Sequence, residues 1–298
     1  MALPQFVKLV EVGPRDGLQN ESFEIPIDVR VDLINKLSDT GLSVIEAGSF
    51  VYPSWVPQMA GTDTVLKGIN RKARVSYPVL VPNMVGYKQA KAAGAQEIAI
   101  FIGATETFNQ KNLNASIKES LHKYQEVCQQ ARQDNMFIRG YISCVLGCPF
   151  EKIVTPAQVV PIAQILFQMG CDEVSLGDTL GVGTVKGTKN LINALKEVCE
   201  VEKLAVHFHD TYGQALVNIY AAMEEGIHII DSSILGLGGC PYAEGASGNV
   251  ATEDVVYMLD GMDIETGVDL TKLIEVGRYI CDRIDLRPAS KAAYALNA

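Results

Sequence analysis

No apolar run in this chain reaches the roughly 18 positions that a membrane-spanning helix needs, because polar or charged residues break each one early. Positive charge is also in short supply: 25 Lys and Arg stand against 35 Asp and Glu. The net charge of −10 argues against nucleic acid and anionic membranes as partners, while leaving room for a local basic pocket around an anionic ligand. Seven cysteines, an odd number at irregular spacing, form no disulfide framework and suit a reducing compartment. The opening residues, Met1 to Lys8, carry neither a secretory apolar core nor an Arg/Ser-rich transit pattern, which predicts a cytoplasmic protein. No Ser/Pro/Gly-rich linker divides the chain, so residues 1–298 are expected to form a single domain. Histidine is rare as well, with four in all, and two of them stand one residue apart.

What is present is a regular alternation of strand and helix signals. At 48% hydrophobic and 20% charged, the 298 residues can bury a large core. Strands are predicted at 6–12, 42–47, 74–81, 97–102, 136–145 and 172–176, then in the histidine-bearing run around Val206, and at 228–234. Helices are predicted from Pro26 to Leu37, and at 63–69, 84–93 and 115–134. A further one, capped by Thr155 with Pro156 at its first position, runs to Met169, and the last ones lie at 185–199, 214–225 and 251–259. Eight such units predict a (β/α)8 TIM barrel, with a C-terminal helical addition from about residue 263 that includes a helix at 270–284. The alternative is a doubly wound open sheet with Gly181-Val182-Gly183 as its phosphate turn. Lys186 stands where that fingerprint needs a third glycine.

The two close histidines lie in Val206-His207-Phe208-His209-Asp210-Thr211. On a strand, residues two apart share a face, so both imidazoles project into one small volume. Taken alone, the pair fits metal ligation and a hydrogen-bonded half-buried strand equally well. In a barrel, chemistry gathers at the C-terminal ends of the strands, and a census there finds Arg15, Asp16, Glu46, Ser49, Asp178, His207, His209, Cys240 and Asn249. Asp16, His207, His209 and the amide oxygen of Asn249 make an oxygen/nitrogen set suited to magnesium, manganese or zinc.

Several motifs resemble those of the 3-hydroxy-3-methylglutaryl-CoA (HMG-CoA) lyases, and the likeness runs nearly end to end. They are Val12-Gly13-Pro14-Arg15-Asp16-Gly17-Leu18-Gln19-Asn20-Glu21, Glu46-Ala47-Gly48-Ser49-Phe50, Cys144-Val145-Leu146-Gly147-Cys148-Pro149, His207-Phe208-His209-Asp210, and Gly236-Leu237-Gly238-Gly239-Cys240-Pro241 with Gly248-Asn249. Isopropylmalate and homocitrate synthases share the Arg-Asp pair and the His-x-His strand, whereas the glycine-rich loop with cysteine marks the lyase branch. The resemblance implies metal-dependent cleavage of HMG-CoA to acetyl-CoA and acetoacetate, with Mg2+ or Mn2+ as the ion. It implies that Arg15 stabilises enolate charge, that Cys240 is the mobile acid/base, and that Glu46 and Asp178 support catalysis. Gln19, Ser49 and Ser175 are expected to hydrogen-bond the acyl part and Lys111 to meet the CoA phosphates, while the role of Cys148, in a loop that matches the family, stays open between lining the mouth and taking part in the chemistry.

Homodimers are common among such lyases, and the 270–284 helix is a candidate for that contact. The chain ends Tyr294-Ala295-Leu296-Asn297-Ala298, without the leader, peroxisomal Cys-Lys-Leu signal or regulatory tail cysteine of animal relatives, which predicts a prokaryotic cytoplasmic enzyme. Two rival readings remain. One is an acyl-CoA condensing enzyme of the same barrel group, disfavoured by the short C-terminal region and the Cys240 loop. The other is a non-catalytic metal- or CoA-binding barrel.

Overall fold

The computed structural model describes residues 3–21, 24–239, 248–284 and 289–296. Its strands are β1 (Lys8–Glu11), β2 (Val44–Ile45), β3 (Gly48–Ser49), β4 (Val79–Leu80), β5 (Glu97–Gly103), β6 (Phe137–Ser143), β7 (Glu173–Asp178), β8 (Leu204–Phe208) and β9 (Ile229–Ser232). All pair in parallel, in the order β2-β1-β9-β8-β7-β6-β5-β4-β3. The expected second strand is split into β2, paired with β1, and β3, paired with β4. Between them the backbone bonds both neighbours: Glu46 N–H donates to Glu11 O at 2.9 Å, and Ala47 N–H donates to Pro78 O at 2.9 Å. The ring therefore closes with eight strand positions, as the TIM-barrel expectation requires. Pro78 has no N–H to give the ladder, which is why the expected strand at 74–81 shortens to Val79–Leu80 and one bridge from Ser76 to Val44.

The helices are α1 (Ile27–Leu37), α2 (Thr62–Gly68), α3 (Met84–Ala92), α4 (Glu106–Leu113), α5 (Ile117–Gln133), α6 (Pro156–Gln168), α7 (Val185–Lys196), α8 (Ala215–Glu224), α9 (Thr252–Asp260), α10 (Leu270–Ile284) and α11 (Lys291–Leu296). Thr155 caps α6 with Gln158 in a reciprocal capping box. Two helices were not anticipated. In α4, Glu-Thr-Phe-Asn-Gln-Lys-Asn-Leu offers too few apolar residues to show a helical period. α11 is held by Asp254, which accepts from Ser290 Oγ and Ala292 N–H, each at 2.7 Å. The apolar face of α10 (Leu273, Ile274, Val276, Ile280, Ile284) is buried, and the helix packs on α1 and α9 of its own chain, so this face is not available for a dimer contact. Among the described residues, no helix is long and apolar enough to cross a membrane.

Strand alternation sorts the core. Ile98, Ile100, Ile102, Ile138, Ile142, Val174, Leu176, Val206, Phe208 and Ile230 belong to the large cluster between strands and helices. Each such side chain contributes about 1.5–3 kcal/mol on burial. Their alternates, Arg139, Tyr141, Glu173, Ser175, His207 and Asp231, therefore face the barrel interior, beside two small apolar clusters around Val10 and Leu80.

At the end of β1, Glu11 is fully buried and ties two site-bearing loops together. Its Oε1 accepts from Gly13 N–H and Ile234 N–H, both at 2.8 Å, and its Oε2 accepts from Thr252 Oγ1 at 2.6 Å. Burial pushes its pKa up to about 7, against those three hydrogen bonds. A raised carboxyl pKa gives stability that is present below the unfolded value and lost as pH rises through the folded one. Thermal stability should therefore fall from pH 4.5 to 7, by about 3 kcal/mol from this group. Glu11→Gln keeps the acceptor and turns an N–H toward Thr252, so calorimetry between pH 5 and 7 should show a flatter profile; an equally steep one would contradict this role.

Candidate active site

After β1 the chain makes one wide π-helical turn, Gly13–Gly17, in which Asp16 N–H donates to Val12 O at 2.7 Å. The turn sets Arg15 and Asp16 side by side at the mouth. Arg15 Nε donates to Glu46 Oε2 at 2.8 Å, Arg15 Nη1 donates to Asp16 Oδ1 at 2.5 Å, and the guanidinium stands 5.4 Å from the Tyr141 ring centre. Burial works against the charge of Arg15, but Glu46 and Asp16 outweigh it and hold its pKa above the ordinary value. For Glu46 burial wins, and its carboxyl is pushed up despite Arg15. Burial would raise Asp16 too, yet Arg15, His207 and His209 keep it well below the usual carboxylate range.

β8 brings the two histidines to the same volume, with ring centres 5.5 Å apart. Ligand atoms of Asp16, His207 and His209 all lie within 4.8 Å of one another, a group able to hold a divalent ion. The fit is supported by His209 Nδ1, which is buried with no hydrogen-bond partner. Burial, then His207, lowers the His209 pKa to about 4, against Asp16, so at neutral pH its ring is uncharged, the form that binds metal. Asn249 is held next to His209 by a short antiparallel pairing, in which Asp210 N–H donates to Gly248 O at 2.8 Å. Its amide nitrogen, rather than the expected oxygen, faces the cluster, because Asp16 Oδ2 at 2.8 Å and Leu237 O at 3.2 Å both demand a donor. The approach is close: at Gly238, with φ +111°, a Cβ would stand 2.8 Å from Asn249 Nδ2.

Arg15, Asp16, Gln19, Tyr141, His207 and His209 are among the residues around a cavity of about 180 Å³ at this end of the barrel. It adjoins a larger cleft of about 780 Å³, with which it shares Gln19, Leu80, Phe101 and Asn112. Gln19 therefore lies where expected, with its buried Oε1 unpartnered. Three of the expected site residues stand outside this cavity. Asp178 does not line this cavity: its Oδ2 accepts from Gly183 N–H at 2.8 Å, and burial raises its pKa to about 6 against the amides of Gly183, Val182 and Gly181. Those amides are spent on Asp178, so the 181–183 turn is no phosphate cradle. Ser175 is fully buried beneath the site, donating to Asp231 Oδ2 at 2.8 Å rather than to a ligand. Ser49 Oγ accepts from Val51 N–H at 3.1 Å and lines a separate groove. Cys148 is buried with Sγ 3.1 Å from Thr105 Oγ1, and also does not line this cavity. Cys240 lies outside the described residues; its neighbour Gly239 lines the cavity.

Tyr141, Arg139 and Asp231 were missed. For Arg139 and Tyr141 the signal was legible in Phe137-Ile138-Arg139-Gly140-Tyr141-Ile142-Ser143, where polar residues fall on one face of an otherwise apolar strand.

Known proteins match the whole of this architecture. The HMGL-like family matches residues 6–280. The mitochondrial hydroxymethylglutaryl-CoA lyase of Rattus norvegicus is 55% identical over 293 residues, covering 98% of this chain and 90% of its own. The crystal structure of hydroxymethylglutaryl-CoA lyase from Pseudomonas aeruginosa superposes with a TM-score of 0.98 at 54% identity, covering 100% of this chain and 99% of its own. An Acinetobacter baumannii HMG-CoA lyase in complex with coenzyme A and 3-methylmalate gives a TM-score of 0.94 at 35% identity, covering 99% and 96%. Likeness of this extent in both sequence and fold shows that the chain belongs to the HMGL-like family.

Proposed function

We propose that this protein cleaves (S)-3-hydroxy-3-methylglutaryl-CoA to acetyl-CoA and acetoacetate at the barrel mouth. The observation that carries this reading is the buried Arg15 guanidinium held directly against the Asp16–His207–His209 cluster. In the reaction the tertiary hydroxyl loses its proton, and the bond between C2 and C3 breaks. Acetoacetate leaves as a ketone, and the electron pair stays on the thioester as an enolate that must then be protonated at C2. The divalent cation that Asp16, His207 and His209 would hold, Mg2+ or Mn2+ for this ligand set, supplies Lewis acidity toward the substrate's hydroxyl and carboxylate oxygens. Asn249 can join them through Oδ1 only if its amide turns away from Asp16.

Arg15, fixed by Glu46 and Asp16, places permanent positive charge where the enolate oxygen develops. Glu46 acts by orienting Arg15, and Gln19 by hydrogen-bonding the acyl group. Cys240, one residue beyond the cavity-lining Gly239, is assigned both proton transfers: as a thiolate it takes the hydroxyl proton, and as the resulting thiol it returns that proton to C2. Cytoplasmic location accords with the cysteine usage, and self-association with Val217, Tyr220 and Tyr257, which stand exposed on the neighbouring helices α8 and α9.

The larger cleft suits the CoA moiety. Trp55 and Tyr52, both about two-thirds exposed, offer stacking faces near Lys111, whose Nζ lies 4.1 Å from the Phe150 ring centre. Base stacking is worth about 1–3 kcal/mol. Trp55→Ala should therefore raise KM for HMG-CoA by about tenfold and leave kcat nearly unchanged in steady-state kinetics; an unchanged KM would place the nucleotide elsewhere.

The deciding experiment offers the purified protein, with divalent cation, either HMG-CoA or an oxo acid plus acetyl-CoA. Acetoacetate from the first alone is expected. Turnover of the second alone would favour a condensing enzyme, and turnover of neither a binding protein.

A further inference from the structure

Beneath the cavity lies a buried polar network that no step above uses. Asp231 on β9, whose side chain is fully buried, has both oxygens engaged. Its Oδ2 lies 3.2 Å from His207 Nδ1 and accepts from Ser175 Oγ at 2.8 Å, while its Oδ1 accepts from Arg139 Nη2 at 2.6 Å. Arg139, itself buried on β6, is held from behind by Glu173, with Nε 2.8 Å from Oε1, and Glu173 in turn by Lys8 at 2.5 Å. On its other side Arg139 Nη1 donates to Tyr141 Oη at 3.2 Å, and Tyr141 Oη donates to Glu46 Oε2 at 3.3 Å, the oxygen that fixes Arg15. One guanidinium thus ties the Arg15 arm of the site to the His207 arm.

The His207 arm has a consequence for metal binding. A neutral imidazole carries one N–H, and a carboxylate can only accept. Nδ1 lies 3.2 Å from the Asp231 carboxylate and Nε2 faces the cluster, 3.8 Å from Asp16 Oδ2, so a neutral ring that donates to Asp231 leaves its Nε2 lone pair toward the cluster. His209 has no such partner at Nδ1. We infer that Asp231 is a positioning residue which, anchored by Arg139 and Ser175, fixes the tautomer and ring orientation of His207 so that Nε2 is presented to a divalent cation. This rests on the reading of His207 as a metal ligand.

Asp231→Asn tests it with little change in shape. Arg139 requires an acceptor, so the amide oxygen stays on that side and the amide N–H turns to His207 Nδ1. That favours the Nε2–H tautomer, in which the nitrogen facing the cluster can no longer bind metal. The Mn2+ dissociation constant, measured by calorimetry on the full chain, should rise about 10–100-fold. Ring-nitrogen NMR of the metal-free protein should show His207 protonated on Nδ1 in the wild type and on Nε2 in Asp231→Asn.

A purely structural ion pair would lower Tm while leaving both the Mn2+ affinity and the tautomer as they were, and that result overturns the inference. If Asp231→Asn does not fold, the wild-type tautomer still decides: His207 protonated on Nε2 refutes the proposal. Ser175→Ala, which removes only one support of Asp231, should weaken Mn2+ a few-fold, and no weakening would count against the inference. Failure of the metal reading itself would look different, as a wild type that binds no Mn2+ at all.

Discussion

His209→Ala should weaken divalent-cation binding by well over about 100-fold and take HMG-CoA cleavage down with it. Losing a group that merely supports a ligand costs about 10–100-fold, and His209 contributes a ligand atom itself. Its ring is buried with Nδ1 unpartnered, and burial keeps it neutral down to about pH 4, so its lone pair is available throughout the working range. Alanine cannot replace that nitrogen, and Asp16 and His207 alone leave most of the coordination sphere to water. Titration of the variant with Mn2+ by calorimetry measures the effect. A dissociation constant within threefold of wild type would remove His209 from the site.

Arg15→Lys should lower kcat by about 10²–10³-fold, the usual cost of losing one aligned donor to a developing oxyanion, while the Mn2+ dissociation constant moves by less than tenfold. Lysine keeps the charge but not the planar fork, and here the fork is used: Nε serves Glu46 while Nη1 serves Asp16. A single ammonium cannot hold both carboxylates in those positions and still face the substrate. Removing the charge altogether is a different experiment, because it strands buried Glu46 without its cation. Breaking such a buried pair costs about 3–5 kcal/mol of stability, so loss of activity in Arg15→Met would mix folding with chemistry. Single-turnover rates of Arg15→Lys avoid that ambiguity, and a kcat close to wild type would show that Arg15 does not meet the enolate.

The barrel was legible because its signals are local and periodic. Val206 and Phe208 face the helices while His207 and His209 face inward, as a period of two demands. Thr155-Pro156 opens α6 by the same short-range logic. What could not be read was set by tertiary competition for donors and acceptors. Nothing in the sequence says that the amides of the 181–183 turn are claimed by Asp178, that Ser175 spends its hydroxyl on Asp231, or that Leu237 O and Asp16 together turn the Asn249 amide. Asp231 itself sits in Ile229-Ile230-Asp231-Ser232, one acid in an apolar strand. Such a residue is retained only when partnered, and its partners come from β6, β7 and β8.

C–C cleavage of HMG-CoA is expected to depend on a divalent ion held by Asp16, His207 and His209. The most direct measurement follows acetoacetate from HMG-CoA in the purified protein, first stripped with a chelator and then reloaded with Mg2+ or Mn2+. Acetoacetate formation should vanish on stripping and return on reloading, in equal amount with acetyl-CoA. Cleavage that continues undiminished in the stripped protein, or that fails to appear in the reloaded one, would contradict that dependence.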